Sequence, residues 1–151
     1  MPALKRTAVT LLATAALTST TLATAGPASA ASYVDKRLNV CTKPPAGVTS
    51  GCGYAMVIKY WYKKGSKSRG VSWVYTDKGT NSNKTLYARW LYQKPGGKLR
   101  VAKSWKKSKD RGPYVSVDWY AGGDHKGPIF PKGTKICTQF KGVTKFCKTL
   151  A

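Results

Sequence analysis

The feature that most constrains this chain is a period-two alternation of apolar and polar residues, rich in Val, Ile, Tyr, Trp and Thr and cut at short intervals by Gly and Pro. No stretch shows the 3.6-residue period of an amphipathic helix, so the chain reads as essentially all-β. Strands are expected at Tyr54 to Tyr62, Val71 to Thr76, Thr85 to Gln93, Lys98 to Trp105 and Tyr114 to Tyr120, with a closing hairpin from about Thr134 to Thr149. A further short strand is expected before Cys41. Turn chemistry separates them at Asp77-Lys78-Gly79, Lys94-Pro95-Gly96-Gly97, Gly122-Gly123-Asp124 and Lys141-Gly142. Six or seven short strands in this arrangement suggest a small antiparallel β-sandwich, Ig-like or barrel-like.

The first 30 residues follow a different logic. Lys5 and Arg6 precede an Ala- and Thr-rich apolar run from Ala8 to Ala25, which breaks at Gly26-Pro27 and ends Ala28-Ser29-Ala30. This is the pattern of a secretory signal peptide cleaved near Ala30. No later stretch approaches the roughly 20 apolar residues of a transmembrane helix. The expectation is a released extracellular protein with one β domain over residues 31–151, large enough for a modest core. All 17 aromatic residues lie in that domain, which argues for a folded chain.

Four cysteines in an exported chain read as two disulfides, with three pairings on paper. Cys41 and Cys52 bracket the turn-forming run Lys43 to Gly51, and Cys137 and Cys147 lie equidistant from Gly142. Local geometry therefore predicts Cys41–Cys52 and Cys137–Cys147, each stabilising by about 2.5 to 3 kcal/mol on the chain-entropy account. Zinc would want CxxC spacing and histidines, which this chain lacks.

Charge constrains the partner. Of 27 Lys and Arg, only Lys5 and Arg6 lie in the leader, so the domain keeps 25 cations against five Asp and no Glu. A charge near +20 is well beyond the magnitude of about 2 to 8 that suits a small soluble domain, and it points to an acidic partner. Twenty of those cations are Lys, a flexible point charge, whereas base-specific or bidentate phosphate reading favours the planar fork of Arg. A delocalised polyanion fits: wall teichoic acid, acidic exopolysaccharide, extracellular DNA bound without sequence preference, an anionic lipid surface, or an acidic protein surface.

An internal echo suggests where the contact is made. Tyr62-Lys63-Lys64-Gly65-Ser66-Lys67-Ser68-Arg69-Gly70 and Trp105-Lys106-Lys107-Ser108-Lys109-Asp110-Arg111-Gly112 share the order aromatic, Lys-Lys, Ser-Lys, Arg-Gly, strand. Both are expected to be β-hairpins with a cationic tip, making Lys63, Lys64, Lys67, Arg69, Lys106, Lys107, Lys109 and Arg111 the candidate anion-binding residues. If the hairpins point to one end, they make a single face. Tyr60, Trp61, Tyr62 and Tyr87 are the candidate aromatic contacts beside this charge. Parity puts Val71, Trp73 and Tyr75 on one face and Leu99, Val101 and Trp105 on another, so Trp73, Trp105 and Trp119 are expected in the core.

Catalysis lacks parts. His125 is the only imidazole, it sits in a Gly-rich loop beside Asp124, and every Cys is expected to be bonded. No motif supports a facing pair of carboxyls among Asp35, Asp77 and Asp118. No enzyme activity, cofactor or metal is expected. A cationic membrane-active protein is the main rival, although the long amphipathic helix usual for that role is missing. Inhibition by a loop stapled at Cys41–Cys52 is another.

Signal peptide, small size, all-β pattern and two local disulfides together resemble the small secreted cationic proteins of Gram-positive, actinobacterial type. Such proteins include secreted inhibitors, antimicrobial proteins and adaptor subunits of exported toxin particles. The resemblance implies extracellular competition or surface attachment. The expected function is thus a secreted, non-enzymatic binding or adaptor module, with a membrane-active or inhibitory protein as the alternative.

Overall fold

Alternation this regular forms strands wherever a neighbouring strand can pair with it, and a computed structural model of the chain describes ten across residues 32–43, 51–80 and 85–151. The leader expected at residues 1–30 and the middle of the Cys41–Cys52 loop lie outside the described residues. The strands are β1 (Tyr33–Cys41), β2 (Tyr54–Lys63), β3 (Ser68–Gly79), β4 (Tyr87–Gln93), β5 (Arg100–Lys107), β6 (Lys109–Asp110), β7 (Tyr114–Tyr120), β8 (Ile129–Pro131), β9 (Lys135–Phe140) and β10 (Phe146–Thr149). The first sheet runs β1-β2-β3-β7-β6, with β8 beside the start of β3, and the second runs β10-β9-β4-β5. All pairings are antiparallel. The segment before Cys41 therefore pairs inside its own domain, as an edge strand on β2.

Cross-strand partners in an antiparallel ladder share a face, so register identifies the core. Leu38, Ile58, Val74 and Trp119 form one inward row of the first sheet, with Met56, Thr76 and Val117 in the next. Ala88, Trp90, Ile136 and Phe140 face them from the second sheet, and all four are buried. A polar bridge crosses this core: Tyr54 Oη lies 2.5 Å from Thr138 Oγ1, which donates to Thr76 Oγ1 at 3.2 Å, and Thr76 donates to the Ala55 carbonyl at 2.9 Å. Burial pushes the Tyr54 phenol above its usual range, with the Thr138 bond pulling the other way.

Both disulfides form as expected. Cys41–Cys52 ties the end of β1 to the start of β2, and Cys137–Cys147 joins directly opposed residues of β9 and β10 with Cα atoms 4.0 Å apart. Two bonded pairs fit an oxidising compartment. Among the described residues, no helix is long and apolar enough to cross a membrane.

Three expectations are corrected. Asp77-Lys78-Gly79 is not a turn but the end of β3, because β2 pairs one side of it and β7 the other, so the ladder overrides local turn propensity. Trp73 leaves the core for the outer face of the first sheet. Opposite it, register slips between Lys59 and Tyr60, so Ser72 is an extra residue and parity flips between buried Val71 and outward Trp73. Trp105, Leu99 and Val101 are also exposed, since β5 is an edge strand with register shifts on both sides of Trp90. Arg89 covers Trp105, its guanidinium 4.4 Å from the ring centroid. Trp119 packs against the core as expected.

Candidate functional site

The first Lys-rich segment folds as the expected hairpin between β2 and β3. Gly65 takes φ +80, a left-handed turn position that costs glycine little, and Ser66 N–H closes the turn on the Lys63 carbonyl at 2.9 Å. Lys63, Lys64 and Lys67 are exposed at this tip. Arg69 is not a tip residue. It is 5 % exposed, its guanidinium donates to the Ser66, Ser68 and Ala151 carbonyls, and it stacks 4.0 Å from the Tyr62 ring centroid. Four satisfied contacts make it a structural clamp rather than a free cation. Tyr60, expected as a surface contact, is 3 % exposed and belongs to the core, where burial pushes its phenol upward.

The second segment does not form the matching hairpin. Lys106 and Lys107 end β5 in the second sheet, Ser108 is buried in the crossing, and Lys109 and Asp110 form β6 in the first sheet. Arg111 sits in the β6–β7 turn, where Gly112 N–H bonds Asp110 Oδ1 at 2.9 Å. Lys106 Nζ donates to the Asp118 carbonyl at 2.6 Å, and Lys109 Nζ lies 3.9 Å from the Asp118 carboxylate. The two segments lie at opposite ends of β3, since β8 and the tip adjoin Ser68 while the β6–β7 turn adjoins Gly79. The length of β3 separates the first tip from the β6–β7 turn by roughly 35 Å, and Lys106 and Lys109 reach only to Asp118, opposite Tyr75, so the two segments make no single cationic tip.

What gathers around the first tip is aromatic. Trp61 lies across Gly70, where a Cβ would meet the indole at 2.2 Å, so only glycine admits this ring. Tyr33 meets Trp61 edge-on at 5.3 Å and stacks on His125 at 4.2 Å. His125 Nε2 in turn sits 3.2 Å from both carboxylate oxygens of Asp35. Lys63 Nζ stands 5.7 Å from the Tyr33 centroid, and Lys59 Nζ 5.3 Å from that of Trp73. Arg37, Lys59, Trp73 and Tyr120 form one outward row in register, with Asp35 and Trp61 in an adjacent one. The face therefore mixes exposed rings with cations that sit over them.

Two grooves flank the tip. One, about 320 Å³, is walled by Tyr33, Trp61, Tyr62, Lys63 and Ile129; the other, about 640 Å³, by Tyr62, Lys67, Arg69, Pro131 and Lys132. Tyr62 and Ser66 belong to both. Of the expected site residues, Trp61, Tyr62, Lys63, Lys64 and Lys67 come together here. Lys106, Lys107, Lys109 and Arg111 do not, and exposed Tyr87 lies on the second sheet, opposite Lys107. Tyr33, Asp35, Lys59, Trp73, His125 and Lys132 are additions. The sequence marks His125 only as a turn residue beside Asp124, and its pairing with a carboxylate 90 residues away carries no local signal. Among the described residues, the hydrogen-bond partner of the His125 side chain is Asp35. The chain matches no family model, no curated protein and no solved structure.

Proposed function

We propose that the chain is a secreted, non-enzymatic binding module that attaches to an extracellular polyanion through the outer face of the first sheet and the β2–β3 tip. The observation that carries this reading is the pairing of rings with ammonium groups: Lys63 over Tyr33 and Lys59 over Trp73, on one face, in a domain with 25 cations and five carboxylates. Rings offer flat contact area to sugar rings or other planar groups, and the flanking lysines take the anionic substituents. An acidic protein would use the same charges. Membrane action or inhibition remains the rival reading, drawing on the same cations and rings.

The test is binding of the secreted protein to immobilised glycerol-phosphate polymer and to an uncharged glycan over a salt series. Duplex DNA serves as a calibrant, on which neutralising six phosphates gives a log–log salt slope of about −5. A steep salt dependence on the polymer, weakened by Lys59→Ala with Lys63→Ala, supports the reading. Equal retention of the uncharged glycan, or an unchanged affinity in the double variant, overturns it. A salt-resistant protein captured from culture fluid in place of polymer would favour the adaptor form, with an acidic protein as the partner.

A further inference from the structure

The first sheet has a gap. β3 pairs with β8 through Ser68 to Gly70 and with β7 from Trp73 onward, leaving Val71 and Ser72 to the loop between β7 and β8. Ala121 N–H bonds the Ser72 carbonyl at 2.9 Å and Val71 N–H bonds the Pro128 carbonyl at 3.0 Å, which folds that loop back over the gap. Beneath it lies a cavity of about 330 Å³ walled by Val71, Val74, Trp90, Trp119 and Pro128, with Lys103 as its only charged wall residue among the described residues. A second cavity of about 470 Å³ shares Trp90, Lys103 and Pro128 and continues toward Val101 and Ile129, which are 51 % and 61 % exposed. Lys94 joins Lys103 there, and among the described residues no carboxylate lines either space.

Irregular backbone is concentrated around this cleft. Ser72 is the bulged residue of β3, and the β4–β5 register slips on both sides of Trp90. Gly127 holds φ +112, where a Cβ would stand 2.0 Å from the Val71 carbonyl oxygen, and His125, two residues earlier, has φ +56. Bulges and left-handed residues of this kind collect at binding sites, where they shape a wall or re-aim a side chain. Trp90 lines both cavities. It is 3 % exposed, and its Nε1–H is the buried side-chain donor without a protein acceptor among the described residues.

We infer that the cleft binds an amphiphile: a linear apolar chain lying between the two sheets, with an acidic head group on Lys103. Apolar walls select the chain, the two joined cavities favour a linear shape over a compact one, and the all-cationic rim selects a negative head. The cleft adjoins the ring-and-lysine row on the outer face, sharing Trp73 and Tyr120 with it, but does not depend on the polyanion reading.

The probe is decanoate, titrated below its micelle concentration into the full secreted protein while the assigned Trp90 indole ¹H–¹⁵N signal is followed by NMR. A saturable shift is expected, at least about tenfold weaker in Lys103→Glu and unchanged in Lys148→Glu, a charge reversal on exposed β10. Ala121→Phe, which adds a ring to the wall of the first cavity, should abolish the shift. A stationary Trp90 signal overturns the inference. So does an equal response to decyltrimethylammonium, or equal weakening by Lys103→Glu and Lys148→Glu, since either means surface adsorption of the detergent rather than a site.

Discussion

The two Lys-rich segments begin alike and fold differently, and one residue separates them. After the Lys-Lys pair the first segment has Gly65, which adopts φ +80 and reverses the chain within the first sheet. The second has Ser108 at that point. Its N–H bonds the Leu86 carbonyl at 2.8 Å and its hydroxyl accepts from Leu86 N–H at 3.0 Å, so the backbone continues forward and crosses to the other sheet. Similar composition thus yields a free cationic hairpin in one place and a pinned crossover in the other. Electrostatics follow: the tip lysines have no carboxylate within their segment, whereas Asp110 and Asp118 dilute the second cluster.

If the comparison holds, the Arg residues of the two segments should respond most differently. Arg69→Ala removes a buried guanidinium that satisfies three carbonyls and covers Tyr62, and should cost roughly 2–4 kcal/mol in denaturant unfolding. Arg111→Ala, on an exposed turn, should stay within about 0.5 kcal/mol. Equal effects would break the distinction between clamp and tip. The glycines that follow sharpen it. Gly70→Ala forces Trp61 off the strand and should cost about 1–3 kcal/mol by overpacking, with a change in tryptophan emission. Gly112→Ala meets nothing within 4 Å and bears only the strain of φ +77, about 1–2 kcal/mol, with emission unchanged.

Binding provides the next contrast. Neutralising Lys63, Lys64 and Lys67 together, with Arg69 left intact, should leave the Tm nearly unchanged. On duplex DNA it should flatten the log–log salt slope by up to roughly 2.7, at about 0.9 for each phosphate no longer neutralised. The matching triple at Lys106, Lys107 and Lys109 should flatten it less, because Lys106 and Lys109 already engage Asp118. Identical slopes would mean that only total charge matters.

Most of the fold is legible in the sequence because alternation, turn residues and cysteine spacing are local signals. The strands other than the short β6 and β8, and both disulfides, follow from them. What fails are inferences needing tertiary register: the inward or outward sense of Trp73 and Trp105 depends on bulges with no sequence mark, and Asp77-Lys78-Gly79 resembles a turn until both its edges are paired. The site is half legible. Lys63, Lys64, Lys67, Trp61 and Tyr62 are contiguous in the chain, whereas Tyr33, Asp35 and His125 reach them through β1 pairing and a loop distant in sequence. The echo misleads at Arg69, since repeated composition does not distinguish an exposed cation from one whose donors are used by the backbone.

The smallest expected effect compares Asp77, at the far end of β3, with Asp110 nearby in the second segment. Asp110 is exposed and caps its turn, while Asp77 is half-buried and accepts from the Tyr75 hydroxyl at 3.0 Å. Burial raises the Asp77 carboxyl above its ordinary range, with the Tyr75 and Ala55 hydrogen bonds pulling it back. The native protein therefore keeps this proton to a higher pH than the unfolded chain does, and stability is lost as pH rises from the ordinary carboxylate range through the raised value. Asp77→Asn keeps an acceptor for Tyr75 and removes that loss. Its Tm should exceed wild type slightly at neutral pH, with the gap closing near pH 3, where the wild-type carboxyl is also neutral. Asp110→Asn retains an acceptor for Gly112 N–H and should show no gain at neutral pH. A gap for Asp77→Asn that persists unchanged at low pH would place its origin in packing, and a lower Tm at neutral pH would show that the ionised carboxylate strengthens its two hydrogen bonds by more than its burial costs.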